Sequence, residues 1–340
     1  MFHKLMLRTV VGCVAVASAL VFTASAGALG YAPLNHAGPR LSVSKALLSE
    51  ALVCTGNLSG SKHRPILLVP GTTVTPREDF AWNWEVALAD QNWPFCTIQL
   101  PDDSMGNIEV AGEYVVYAIR TMYAEAHERI DIVGHSQGGM VPRWALRFWP
   151  DTRRMVRHDI GLSASNHGTL DAIALCAAGC APAIWQQVTD SNFLKALNSR
   201  AETFPGIDYT EIYTNDDEVV VPNFGPHASS AVHGGGGAIT NVAIQQVCPN
   251  DVAEHLGIGT YDNTAYQIAM EALTHSGSGN PSLVPKSVCL DPLMPGVDPL
   301  TFATDFGDAG AAVATALATT PFVAHEPPLA CYVTASCKRS

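Results

Sequence analysis

The stretch Ile130-Asp131-Ile132-Val133-Gly134-His135-Ser136-Gln137-Gly138-Gly139 constrains what this chain can fold into more than any other segment. Ile130–Val133 has the apolar character of a buried β-strand, and the pattern behind it predicts a helix over Gln137–Phe148. Between them stands Gly-x-Ser-x-Gly. A serine hydroxyl is a weak nucleophile, so it has to be held where a base can reach it. A sharp strand-to-helix turn does this by straining the serine backbone and projecting Oγ from the edge of a sheet. Glycines at 134 and 138 leave room for that turn against the neighbouring strands. The pentapeptide alone is a weak signal; its strand and helix flanks make Ser136 a candidate nucleophile. Pro142 falls beyond the first helical turn, where a mild bend is expected.

An elbow of this kind needs a sheet. Pro65–Val69 is a continuous apolar run ending at Pro70-Gly71-Thr72-Thr73, the pattern of a strand buried on both faces. Val110, Tyr114, Tyr117, Ala118 and Met122 recur at helical spacing, predicting a helix over 109–126. Further strands are expected at 160–164, 209–213 and 241–247, and a helix near 193–199. This alternation implies an α/β protein with a mostly parallel central sheet covered by helices on both faces. Residues 27–53 read as an exposed lead-in. Residues 54–340 read as a single domain whose tail, from about 276, is rich in Pro, Gly and Ala and strapped on by disulfides.

Lys4 and Arg8 precede an apolar run from Val10 to Phe22 and then Ala24-Ser25-Ala26. That order is a secretory signal peptide over residues 1–26, cut near Ala26, and places the mature chain outside the cell. The apolar run is too short for a membrane span. Lipoprotein anchoring at Cys13 is disfavoured because Arg8 leaves no proper apolar segment before it. The net charge of −12 becomes about −14 once the signal is removed. An acidic chain without a basic cluster excludes nucleic acid as a partner. Nine cysteines fall to eight without Cys13, an even count that reads as disulfides in an exported protein. Eight cysteines allow on the order of a hundred pairings. A plausible set is Cys54–Cys96, Cys176–Cys180, Cys248–Cys289 and Cys331–Cys337. The rival reading, a metal site, lacks a close Cys-x-x-Cys pair.

Ser136 as nucleophile requires a base and an acid to orient it. In open parallel sheets such groups sit on loops leaving the carboxyl ends of strands. Asp216-Asp217-Glu218 follows the strand at 209–213, and His255 follows the strand at 241–247. By itself the acidic cluster is a solvated loop, and one histidine among twelve is a packing residue. Their joint placement downstream of the elbow, in the order Ser, Asp, His, reverses both readings and is that of an α/β-hydrolase. His255 would take the Ser136 proton as Oγ attacks an ester carbonyl, and the acyl-serine would then be hydrolysed by water. The N–H groups of Gln137 and Thr72 are candidate oxyanion donors. The mechanism needs neither metal nor organic cofactor. His135 and His167 read as pocket wall or the layer behind it, His227 and His233 as part of a flexible loop, and Trp82 and Trp84 as core.

Together these residues resemble the Candida antarctica lipase B-like branch of the α/β-hydrolase lipases, from about Ser42 to the C-terminus. The most specific pieces are Ile66-Leu67-Leu68-Val69-Pro70-Gly71-Thr72, His135-Ser136-Gln137-Gly138-Gly139, Trp185-Gln186-Gln187 and Asp217-Glu218-Val219-Val220. The resemblance selects Asp217 over Asp216 as the acid, with His255 as the base. It implies Thr72 and Gln137 as oxyanion residues, the Thr72 hydroxyl being a third donor. Trp185, Gln187 and Val219 would belong to the substrate pocket. It supports three of the four disulfides; Cys176–Cys180 rests on local spacing alone. Fungal members carry Trp at the position of His135 and a small polar residue at that of Asp79, both lining the alcohol side. The resemblance therefore implies a roomier, more polar alcohol pocket lined by His135 and Asp79. Cys176–Cys180 falls where the family has a short mobile helix, so a staple there would limit lid opening. The expected protein is a monomeric, secreted lipase or carboxylesterase that touches a lipid interface transiently. A polyester depolymerase or acyltransferase with the same triad is the alternative, and a catalytically silent binding protein a remote one.

Overall fold

The computed structural model describes residues 30–337. The expected signal peptide and Cys13 lie outside them. Strands β1 (Leu52–Thr55), β2 (Ile66–Val69), β3 (Phe95–Ile98), β4 (Ile130–His135), β5 (Val156–Leu162), β6 (Asp208–Tyr213) and β7 (Ala238–Ala243) form one sheet in the order β1-β3-β2-β4-β5-β6-β7. Only β1 runs antiparallel to its neighbour. The helices are α1 (Lys45–Ala51), α2 (Pro76–Asp79), α3 (Trp84–Asp90), α4 (Ile108–Ala126), α5 (Gln137–Phe148), α6 (Asp171–Leu175), α7 (Pro182–Gln186), α8 (Asn192–Leu197), α9 (His255–Thr260), α10 (Asn263–Thr274) and α11 (Phe302–Thr319).

β2 shows why the sequence reads as it does. Successive side chains point to opposite faces. Leu67 and Val69 pack with Val115, Ile119 and Trp144 of α4 and α5, while Ile66 and Leu68 pack with Leu88, Ile268 and Ala269 of α3 and α10. Both faces are covered, so the strand is apolar throughout. The helix over 108–126 and the strand–elbow–helix at 130–148 form as expected, and α5 runs through Pro142 unbroken. All four expected disulfides form.

Several expectations are corrected. Residues 30–53 are largely exposed, but β1 already begins at Leu52 and the segment before it is anchored. Arg147 donates to the Ala32 carbonyl at 2.7 Å, Trp149 Nε1 to that of Pro39 at 2.9 Å, and Ser42 Oγ to Glu113 at 2.7 Å. Anchoring through backbone carbonyls leaves no hydrophobic pattern to read. β5 starts at Val156, before the expected 160, since its interior carries Arg157, His158 and Asp159. His158 Nδ1 lies 2.8 Å from Asp131 Oδ1, and Arg157 pairs with Asp208. β7 ends at Ala243, before the expected 247, where the chain turns into a short 3-10 segment. The tail is more than a strap: α11 spans 18 residues and roofs the site. Among the described residues no helix is long and apolar enough to cross a membrane.

Candidate active site

Ser136 sits between β4 and α5 with φ 53° and ψ −122°. A non-glycine residue there is strained, which marks a site where geometry is imposed by its surroundings. Two glycines make the turn possible. A Cβ added at Gly134 would overlap the Gly138 carbonyl, and one at Gly138 would overlap that of Val69. Packing this close is what brings the elbow over β2 and its exit loop, where Thr72 lies.

Asp217 and His255 converge on Ser136 from the β6 and β7 sides of the sheet. His255 Nε2 is 3.0 Å from Ser136 Oγ, and its Nδ1 is 2.9 Å from Asp217 Oδ1. His255 is the first residue of α9, whose start is held by Glu254 capping Leu256 and Gly257 and by Glu218 accepting the His255 N–H at 3.1 Å. Asp217 is fixed in turn: the Val220 N–H donates to Oδ1 at 2.8 Å, and Asn223 Nδ2 donates to Oδ2 at 2.9 Å. Burial alone would push its carboxyl up. The His255 charge and hydrogen bond, with those of Val220 and Asn223, overcome this and hold it at about 2. Asp217 is therefore ionised across the working range.

The three groups open onto a cavity of about 550 Å³. Its lining is mostly apolar, with Val219, Ile184 and Leu175 on one side and Phe306, Val313 and Leu317 of α11 on the other. Thr72, His135 and Gln187 supply the polar contacts near Ser136. Gln187 Nε2 donates to Thr72 Oγ1 at 3.0 Å, while Ser165 Oγ donates to Gln187 Oε1 at 2.8 Å. The Gln137 side chain points away from the opening, its amide donating to the Ser104 carbonyl at 2.9 Å, so only its backbone can serve the site.

Two expected lining residues are not in the wall. Asp79 is fully buried behind His135, with one oxygen on His135 Nδ1 and the other on the Gly71 N–H, both at 2.8 Å. Asp79 therefore adds no polar group to the cavity, while His135 remains in its wall. Trp185 turns outward and donates its indole N–H to the Val323 carbonyl at 3.0 Å. Val323 also exchanges backbone hydrogen bonds with Cys180, so the Cys176–Cys180 staple is tied to the segment leaving α11.

Sequence reasoning missed Asn223 and Glu218 as holders of Asp217 and His255; a polar loop residue carries no signal of its partner. It also missed the α11 wall, although Phe302, Phe306, Ala309, Val313 and Leu317 recur at helical spacing.

A mostly parallel sheet with a serine at the turn from its central strand into a helix defines an α/β-hydrolase. Comparison with known proteins narrows the class. Residues 115–256 match the class 2 lipase family. Lipase B of Pseudozyma antarctica is 33% identical over 244 residues, covering 69% of each chain. The crystal structure of Aspergillus fumigatus lipase B superposes with a TM-score of 0.80 at 28% identity, covering 87% of this chain and 73% of that one. The chain belongs to the lipase B family, a family of carboxylic-ester hydrolases.

Proposed function

We propose that this protein hydrolyses carboxylic esters of lipids through an acyl-enzyme on Ser136. The observation that carries the reading is the continuous chain Ser136 Oγ, His255 Nε2, His255 Nδ1 and Asp217 at hydrogen-bonding distance, opening onto one apolar cavity. Ser136 Oγ attacks the ester carbonyl as its proton passes to His255 Nε2, and ionised Asp217 stabilises the imidazolium. His255 returns the proton to the leaving alcohol. Water, deprotonated by the same nitrogen, then releases the acid and restores Ser136.

The oxyanion is held by the backbone N–H groups of Thr72 and Gln137. Because Gln187 donates to Thr72 Oγ1, the Thr72 hydroxyl hydrogen is free to be a third donor. The acyl chain occupies the apolar part of the cavity, between Val219 and α11. Exposed Leu170, Ile173 and Leu175 around α6 favour brief contact with a lipid surface. The disulfides fit a secreted protein, and a triad complete within one chain fits a monomer.

The test is hydrolysis of p-nitrophenyl butyrate and palmitate by the disulfide-intact protein and by Ser136→Ala. Turnover of either ester that collapses in the variant supports the reading. Equal turnover in both proteins would move the nucleophile elsewhere. No turnover by a folded wild-type protein would leave the silent binding role.

A further inference from the structure

We propose that Asp79 and His135 are a positioning pair in which both ring nitrogens of His135 carry protons, and that this pair fixes the base and the oxyanion loop together. The proposal rests on the roles given above to Ser136, His255 and Thr72.

With Asp79 ionised, the His135 ring faces two oxygens that have no hydrogen to give. Nδ1 lies 2.8 Å from Asp79 Oδ1, and Nε2 lies 3.1 Å from the backbone carbonyl oxygen of His255. A neutral imidazole has one N–H and one lone pair. It could satisfy one of these oxygens only by setting its lone pair against the other. At 2.8 and 3.1 Å both contacts are direct and leave no room for a water between the partners. Gly259 closes the remaining side, since a Cβ there would overlap the ring. An imidazolium with Asp79 as its counter-charge satisfies every atom.

The connections explain what such a pair is for. Asp79 Oδ2 accepts the Gly71 N–H at 2.8 Å, and Gly71 precedes Thr72. His135 precedes Ser136, and its Nε2 holds the carbonyl of His255 itself. Oxyanion loop, nucleophile and base are each tied to the pair directly or through one peptide unit. The ionisable groups facing His135 are Asp79 on α2, His255 on α9 with ring centroids 5.1 Å apart, and Asp217 on the loop after β6. Burial draws the His135 pKa down, but the charge and hydrogen bond of Asp79, the His255 carbonyl and Asp217 outweigh it, and the pKa is raised.

A triad alone requires only that His255 be neutral, so its rate climbs with pH and levels off. Here a second limb follows. As pH rises through the His135 pKa, Nε2 loses its proton and presents a lone pair to the His255 carbonyl, displacing the start of α9. Turnover then falls.

Asp79→Asn keeps an acceptor for Gly71 but removes the charge. It is expected to lower kcat about tenfold to a hundredfold, the cost of a small misplacement of reacting groups, with KM nearly unchanged. Its amide N–H then faces Nδ1, so a neutral ring keeps the Nε2 proton on the His255 carbonyl and the alkaline limb should disappear. His135→Phe should abolish that limb. An alkaline limb identical in wild type and both variants would overturn the proposal. A direct readout is independent of activity and of variant stability: nitrogen NMR of the histidine-labelled wild-type protein. Two protonated nitrogens on His135 are expected at neutral pH, above the ordinary histidine value of about 6.5; one bare nitrogen there would sink the pair. Absence of ester hydrolysis would instead strike at the function proposed above and leave the NMR result standing.

Discussion

Two histidine–aspartate pairs flank Ser136, built from different regions of the molecule. His255 and Asp217 come from loops beyond β6 and β7, on one side of the elbow. His135 and Asp79 come from β4 and α2, beneath it. In both, Nδ1 lies within 2.9 Å of a carboxylate oxygen. The difference is at Nε2. In His255 it meets a hydroxyl that can donate a proton, so the ring can cycle between neutral and charged forms. In His135 it meets a carbonyl that can only accept, so the ring has one satisfied state. The same two side chains become a proton shuttle or a fixed strut according to one partner atom. Charge at a site is therefore assigned from what both nitrogens face, and not from residue type.

The largest effects should separate shuttle from strut. Ser136→Ala or His255→Ala is expected to cost about a millionfold in kcat, since a nucleophile and its base act as one unit. Asp217→Asn, which leaves the ring without its charged partner, should cost about ten-thousandfold. Asp79→Asn, the same chemical change at the other pair, should cost about tenfold to a hundredfold. Steady-state kinetics on p-nitrophenyl butyrate measure all of these. Equal losses in the two Asp→Asn variants would erase the distinction. Between them should fall Thr72→Val, which removes a hydroxyl donor from the oxyanion at a cost of about a hundredfold.

The meeting of Ser136, His255 and Asp217 was legible in the sequence, and that of Asp79 with His135 was not. Gly-x-Ser-x-Gly between a strand and a helix, followed by an acid and then a histidine on later loops, carries its geometry in its order, because each loop leaves the same edge of a parallel sheet. The continuous apolar run of β2 likewise declares a strand covered on both faces. Asp79 carries no such mark. It lies on the short helix α2 and meets His135 across 56 positions of sequence, through burial that only the packed fold creates. β1 and β3 were missed for a related reason: β1 is an exposed edge, and Thr97 breaks the apolar run of β3. The α11 roof was hidden because alanines fill its several faces and blur the apolar period.

The smallest effect is in stability, and its sign should differ between the pairs. The Asp217 carboxyl is held at about 2, below the unfolded value of about 4. It contributes stability that is present above pH 4 or so and lost as pH falls through about 2. The His135 pKa is raised, so its contribution is complete below the unfolded value of about 6.5 and is lost as pH rises through the folded value. Thermal unfolding followed against pH should therefore show Asp217→Asn converging on wild type in acid, and His135→Phe converging on it in alkali. Each kcal/mol is worth only about 2–4 °C in a chain of this size or somewhat smaller, so the curves must be compared as differences from wild type. Convergence of both variants on the acid side would mean that His135 is neutral in the folded protein and that the two pairs differ in position but not in charge.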